Sequence, residues 1–141
     1  MIYLVHHADA VGPDANPQRP LSQAGRMHAD QLASHASARR IKPIVIWHSG
    51  KLRARQTAEA FLRACNPLAE FSAIRGLQPD DPPEWIRDLV TGDGRELMLV
   101  GHMPSLPRIL SLLTGITQEF PLHGLIALES ENDRWVERYR M

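Results

Sequence analysis

The chain has 141 residues, of which 43% are hydrophobic and one is cysteine, and its 16 basic and 16 acidic side chains leave a formal net charge of zero. A chain of that length buries a proper core without disulfide or metal staples, and lone Cys65 has no intrachain partner, which fits a reducing compartment. Zero net charge removes the electrostatic ground for a nucleic-acid or anionic-membrane partner, and no apolar run approaches the roughly 18 to 20 residues of a membrane span.

In chain order, Ile2 to Val5 is a short β-rich apolar run, followed by a polar, Pro-rich loop from Asp9 to Pro20. Gly25, Ala29, Leu32, Ala33 and Ala36 then fall on one helical face, with Ser22 placed to cap its start. Pro43 separates this helix from Ile44-Val45-Ile46-Trp47, the kind of continuous run found in a central strand buried on both faces. Ala54, Ala58, Phe61 and Cys65 make the stripe of a second helix closed by Asn66-Pro67, with Arg53, Gln56 and Thr57 on another face. A weaker strand runs through Phe71 to Ile74. Asp81-Pro82-Pro83-Glu84 carries the cap and initiating prolines of a short third helix through Trp85, Ile86, Leu89 and Val90. Glu96 to Val100 is another buried strand, and Leu106, Ile109, Leu110 and Leu113 mark a helix that stops at Gly115. Leu125 to Leu128 and Arg134 to Tyr139 pair around a turn at Asn132-Asp133.

This alternation predicts one α/β domain over residues 1–141, three layers deep, with helices flanking a mostly parallel central sheet. In such sheets ligands bind beyond the carboxyl ends of the strands, and three predicted strands end in His6-His7, His48-Ser49 and Gly101-His102. Histidine is an effective nucleophile toward phosphorus when cationic donors neutralise the phosphoryl oxygens, and His7, His102 and Arg53 combine both properties. Arg53 falls in the first turn of a helix, where free N–H groups also face an anion. Taken singly, each has a structural alternative: a hydrogen-bonded strand-end histidine, or a solvated arginine. All basic residues except Lys42 and Lys51 are arginine, the side chain suited to two-pronged oxyanion recognition.

Four stretches together resemble the histidine phosphatase superfamily and, within it, the small SixA-type phosphohistidine phosphatases. They are Leu4-Val5-His6-His7-Ala8-Asp9-Ala10, Arg19-Pro20-Leu21-Ser22-Gln23-Ala24-Gly25, Ser49-Gly50-Lys51-Leu52-Arg53-Ala54-Arg55-Gln56-Thr57 and Val100-Gly101-His102-Met103-Pro104-Ser105-Leu106. The resemblance implies a phosphoglycerate-mutase-like fold, a phosphohydrolase that needs no cofactor, and His7 as the nucleophile that is transiently phosphorylated. It implies Arg53 and His102 as ligands of the phosphoryl oxygens. Where the family has an arginine before the nucleophile this chain has His6, which offers fewer donors and a charge that depends on pH. Gly50 stands where the family often has proline, which loosens the turn before the helix.

The expected substrate is phosphohistidine on a partner protein, admitted by an open pocket with no cap insertion, in a cytoplasmic protein whose Met1 to Val5 segment has no signal-peptide features. A small phosphorylated substrate, as in a phosphate-ester phosphatase or mutase, is an alternative. A domain that binds phosphoryl groups without turning them over is the other, favoured by His6. The general acid is unassigned among Asp9, Asp80 and Asp81, the last doubling as a helix cap. A metal held by His6 and His7 with His48, His102 or Asp9 is disfavoured, because adjacent residues in a strand point to opposite sides. His28 and His35 are expected at solvated or rim positions, and His123 opens a strand without an identifiable partner.

Overall fold

The computed structural model describes residues 1–141. Its elements in chain order are β1 (Ile2–His6), α1 (Gln23–Ala38), β2 (Val45–His48), α2 (Leu52–Cys65), β3 (Glu70–Ala73), α3 (Pro83–Val90), β4 (Leu97–Gly101), α4 (Ser105–Thr114), β5 (Leu125–Glu131) and β6 (Arg134–Arg140). All six strands form one sheet in the order β3-β2-β4-β1-β5-β6. The first four strands in that order run parallel, joined through helices, whereas β5 pairs antiparallel with both β1 and β6. The chain is therefore an α/β domain with a mixed sheet, its parallel part built as the alternation of elements predicts.

Strand alternation feeds two cores. Tyr3, Val5, Ile46, Met98 and Val100 point to the face covered by Ala29 and Ala33 of α1 and Ala58 and Phe61 of α2. Ile2, Leu4, Val45, Trp47, Leu97 and Leu99 point to the other, covered by Ile86 and Val90 of α3 and Leu106, Ile109 and Leu110 of α4. Burial on both faces explains why β1, β2 and β4 read as unbroken apolar runs. The middle of the sheet is β4 and β1; β2 lies one strand from the edge, and Ile44, just before it, is exposed.

The predicted caps divide. Ser22 caps α1 by accepting the Gly25 N–H, and Gly115 ends α4 with a left-handed φ of 75°. Asp81 does not cap α3: its Oδ2 accepts the N–H groups of Gly76 and Gln78, and Pro82 holds the N-cap position without a side-chain bond. Trp85 and Leu89 of α3 face outward while Ile86 and Val90 carry its core contact.

Candidate active site

The carboxyl ends of β1 and β4 lie side by side, with His6 opposite Gly101 in the parallel register. The His7 N–H still donates to the Gly101 carbonyl, but the next N–H, that of Ala8, leaves the ladder for Thr57 Oγ1 on α2. Thr57 Oγ1 in turn donates to the Arg53 carbonyl. The loop that carries the nucleophile candidate is thereby tied to the helix that carries Arg53. Thr57 lies on a face of α2 other than its apolar stripe, as its spacing predicts, and it is 1% exposed because this polar clamp, and not apolar packing, occupies it.

That break in the ladder brings His6 and His7 together. Their ring centroids are 4.5 Å apart, and His7 lies 4.9 Å from the ring of His102. The expectation that adjacent histidines diverge fails here, since strict alternation ends at the last paired residue. His7 is half-buried and donates its Nδ1 hydrogen to the Ala8 carbonyl at 2.7 Å, so Nε2 holds the free lone pair. His6 is fixed in the opposite tautomer: its Nδ1 accepts the His123 N–H at 2.8 Å, so Nε2 carries the hydrogen. His102, 1% exposed, bonds Ser49 Oγ through Nε2 at 2.7 Å. Two buried side-chain nitrogens in the molecule have no hydrogen-bond partner, Arg53 Nε and His102 Nδ1.

Burial, reinforced by neighbouring rings and by the Arg53 guanidinium, pushes His6 down to about 3 and His102 down to about 3. His7 falls to about 4, chiefly through burial, although its bond to Ala8 opposes the shift. All three imidazoles are neutral at pH 7. The pH-dependent charge expected of His6 is thus absent, and it stands as a neutral N–H donor. A neutral His7 is the form with a lone pair to give, and Arg53 is the fixed positive charge beside it.

The model of the histidine phosphatase superfamily (branch 1) matches residues 2–78 of this chain. This protein belongs to the histidine phosphatase superfamily. It is similar to the putative phosphohistidine phosphatase SixA from Agrobacterium tumefaciens, at 28% identity over 99% of this chain and 96% of that one, with a TM-score of 0.83. The protein histidine phosphatase SixA complexed with tungstate shares its fold at a TM-score of 0.86 and 18% identity, over 99% of this chain and 95% of the other. A phosphoserine phosphatase mutant from Entamoeba histolytica, bound to phosphoserine, shares it at 0.76 and 12%, again over 99% and 95%. No curated protein sequence matches the chain.

Several further residues of this histidine phosphatase support the site. Arg19, held at a φ of 50° with Nε donating to the Val11 carbonyl, is close enough for its charge to lower both His7 and Arg53. Ser49 accepts the Lys51 N–H while holding His102, which orients that ring. His123 stacks on His6, with ring centroids 4.9 Å apart and planes 7° from parallel, and donates from Nδ1 to the His7 carbonyl at 2.7 Å. A Cβ on Gly25 would lie 2.0 Å from the Asp9 carbonyl oxygen, so glycine there lets α1 close on the loop. Gly50 has a φ of 91°, which proline cannot adopt, so this residue shapes the turn and does not merely loosen it.

The third strand-end histidine stays apart. His48 is buried, accepts the Gly50 N–H on Nδ1 and packs on Phe71. The carboxylates are engaged elsewhere: Asp9 Oδ2 accepts Ser22 Oγ, Asp81 holds its own loop, and Asp80 is exposed. One ring nitrogen each of His6, His7 and His123 lies within 4.8 Å of the others, the one cluster with metal-ligand composition. Its bonding does not fit a metal. With Nδ1 of His6 accepting the His123 N–H, its Nε2 already carries a hydrogen and has no lone pair to give.

Proposed function

We propose that this phosphatase removes phosphate from phosphohistidine on a partner protein, working as one domain over residues 1–141 in the cytoplasm. His7 Nε2 attacks phosphorus, the bond to the leaving nitrogen breaks, and its electron pair departs with the leaving imidazole. Water then attacks phospho-His7, the P–N bond breaks, and the electron pair returns to His7. Arg53 and His102 hold the phosphoryl oxygens, and His6 donates its Nε2 hydrogen to a third.

The observation that carries this reading is the pair of unpartnered buried nitrogens, Arg53 Nε and His102 Nδ1, beside the free lone pair of His7. Buried polar groups are almost always bonded within a fold, so two nitrogens left without partners call for a ligand that completes them, and the Arg53 guanidinium favours an anionic one. Preorganised donors of this kind strengthen as charge spreads over the phosphoryl oxygens. The relative that is 28% identical is a putative phosphohistidine phosphatase, and the SixA with tungstate was solved with a phosphate-like oxyanion.

The test is turnover of phosphoramidate and of a phosphohistidine-bearing protein, with acid-labile label trapped on the enzyme. His7→Ala should abolish both turnover and label. Tight phosphate binding by the wild type with no turnover on either substrate would replace this reading with a phosphoryl-binding domain, the alternative that His6 favours. Turnover confined to small phosphate esters would replace it with an ester phosphatase.

A further inference from the structure

A departing group needs a proton donor, and the carboxylates of Asp9 and Asp81 are already bonded within their own loops. His123 is placed where such a group belongs. It lies in the Pro121–Gly124 turn before β5, with the Gly124 carbonyl accepting the His6 N–H, and it holds a left-handed φ of 52°. That conformation is uncommon outside glycine, though histidine adopts it more readily than most, and three bonds lock the turn onto the end of β1.

The bonds also fix the chemistry of the ring. With Nδ1–H committed to the His7 carbonyl, Nε2 is the nitrogen left to exchange a proton. A ring nitrogen of His123 lies within 4.8 Å of one on His7, so a phosphoryl group carried by His7 would bring its leaving atom close to His123. We infer that His123 is the proton donor to the leaving group, and the acceptor of water's proton in the second step. This rests on His7 being the nucleophile.

In the first step His7 Nε2 bonds to phosphorus and the bond to the leaving atom breaks. The leaving atom keeps the electron pair and takes the Nε2 proton of His123, which becomes neutral with Nδ1–H intact. In the second step water bonds to phosphorus, its proton goes to His123 Nε2, and His7 recovers its lone pair. His6, His7 and His102 are held neutral by burial and bring no exchangeable charge to either step. The titratable side chains seen against His123 are His6 on its stacked face, His7 with ring centroids 6.1 Å apart, and His28 of α1, edge-on at 6.2 Å.

The experiment compares His123→Asn and His123→Gly with wild type on p-nitrophenyl phosphate, whose leaving group is weakly basic, and on phenyl phosphate, whose leaving group needs a proton. Asparagine keeps a donor near the His7 carbonyl and tolerates the left-handed φ; glycine keeps only the φ. In both variants kcat/KM on phenyl phosphate should fall about 10²-fold or more, and at least tenfold further than on p-nitrophenyl phosphate, while trapped phospho-His7 still forms from phosphoramidate. Equal losses on the two esters, with phospho-His7 still formed, overturn the proton-transfer role and leave the nucleophile assignment standing. A wild type that forms no phospho-His7 overturns the functional reading and this inference with it.

Discussion

His48 and His102 end neighbouring parallel strands, both are buried, and both follow apolar runs of the same kind, yet their surroundings differ in one decisive respect. His48 has its Nδ1 occupied by a backbone N–H two residues on, and its ring lies on Phe71. His102 is gripped at Nε2 by Ser49, while its Nδ1 is buried with no partner, and its ring lies 4.9 Å from that of His7. Strand-end position alone therefore does not identify a functional histidine. What separates the two rings is the unused hydrogen-bonding capacity of His102.

The largest expected effect tests that contrast directly. Arg53→Ala and His102→Ala should each lower kcat/KM on phosphoramidate by about 10²- to 10³-fold, the usual cost of one preorganised donor. His48→Ala should change it by less than about threefold and act on stability instead. A loss at His48 equal to that at His102 breaks the comparison. Next, Ser49→Ala should release the His102 ring and reduce kcat/KM about five- to tenfold, the worth of one hydrogen bond of about 1 kcal/mol, without disturbing His48. Thr57→Val should cost about 1 to 3 kcal/mol in urea unfolding, because the Ala8 N–H loses its acceptor inside the protein.

Stability should also depend on pH. His6, His7 and His102 have folded values of about 3, 4 and 3 against 6.5 in the unfolded chain. Between these limits the unfolded chain binds protons that the folded one refuses, so stability is level above about pH 7 and falls as pH drops below about 6.5. His48 is shifted in the same direction by burial. Urea midpoints measured from pH 7.5 to 5 should decline, and His102→Asn should flatten the decline by about one proton. A midpoint that does not move over this range contradicts the burial of these rings as neutral groups.

Much of the fold is legible in the residues. The stripe Gly25, Ala29, Leu32, Ala33 and Ala36, its Ser22 cap, and the Gly115 stop of α4 depend on local chemistry and periodicity, and the structure has all of them. His6, His7 and His102 are recognisable through strand-end position and motif, and they do meet. Other features fall outside local rules. Asp81 stands where a cap belongs, but its carboxylate is drawn to the Gly76 and Gln78 N–H groups of the preceding loop. Thr57 reads only as lying off the apolar stripe, and its acceptance of the Ala8 N–H from 49 residues away is not visible locally.

By itself, then, the sequence determined which segments are strands and helices, which faces are apolar, and which strand ends carry histidines, because each of these follows from neighbours within a few residues. Only the tertiary structure decided which nitrogen of each histidine lacks a partner, that His6 is a neutral donor, that Arg19 and His123 lie at the site, and that Asp9 and Asp81 are bonded within their own loops. Those properties are set by single hydrogen bonds between residues up to 117 positions apart, and by the burial that keeps the rings uncharged. No local pattern of residues encodes either.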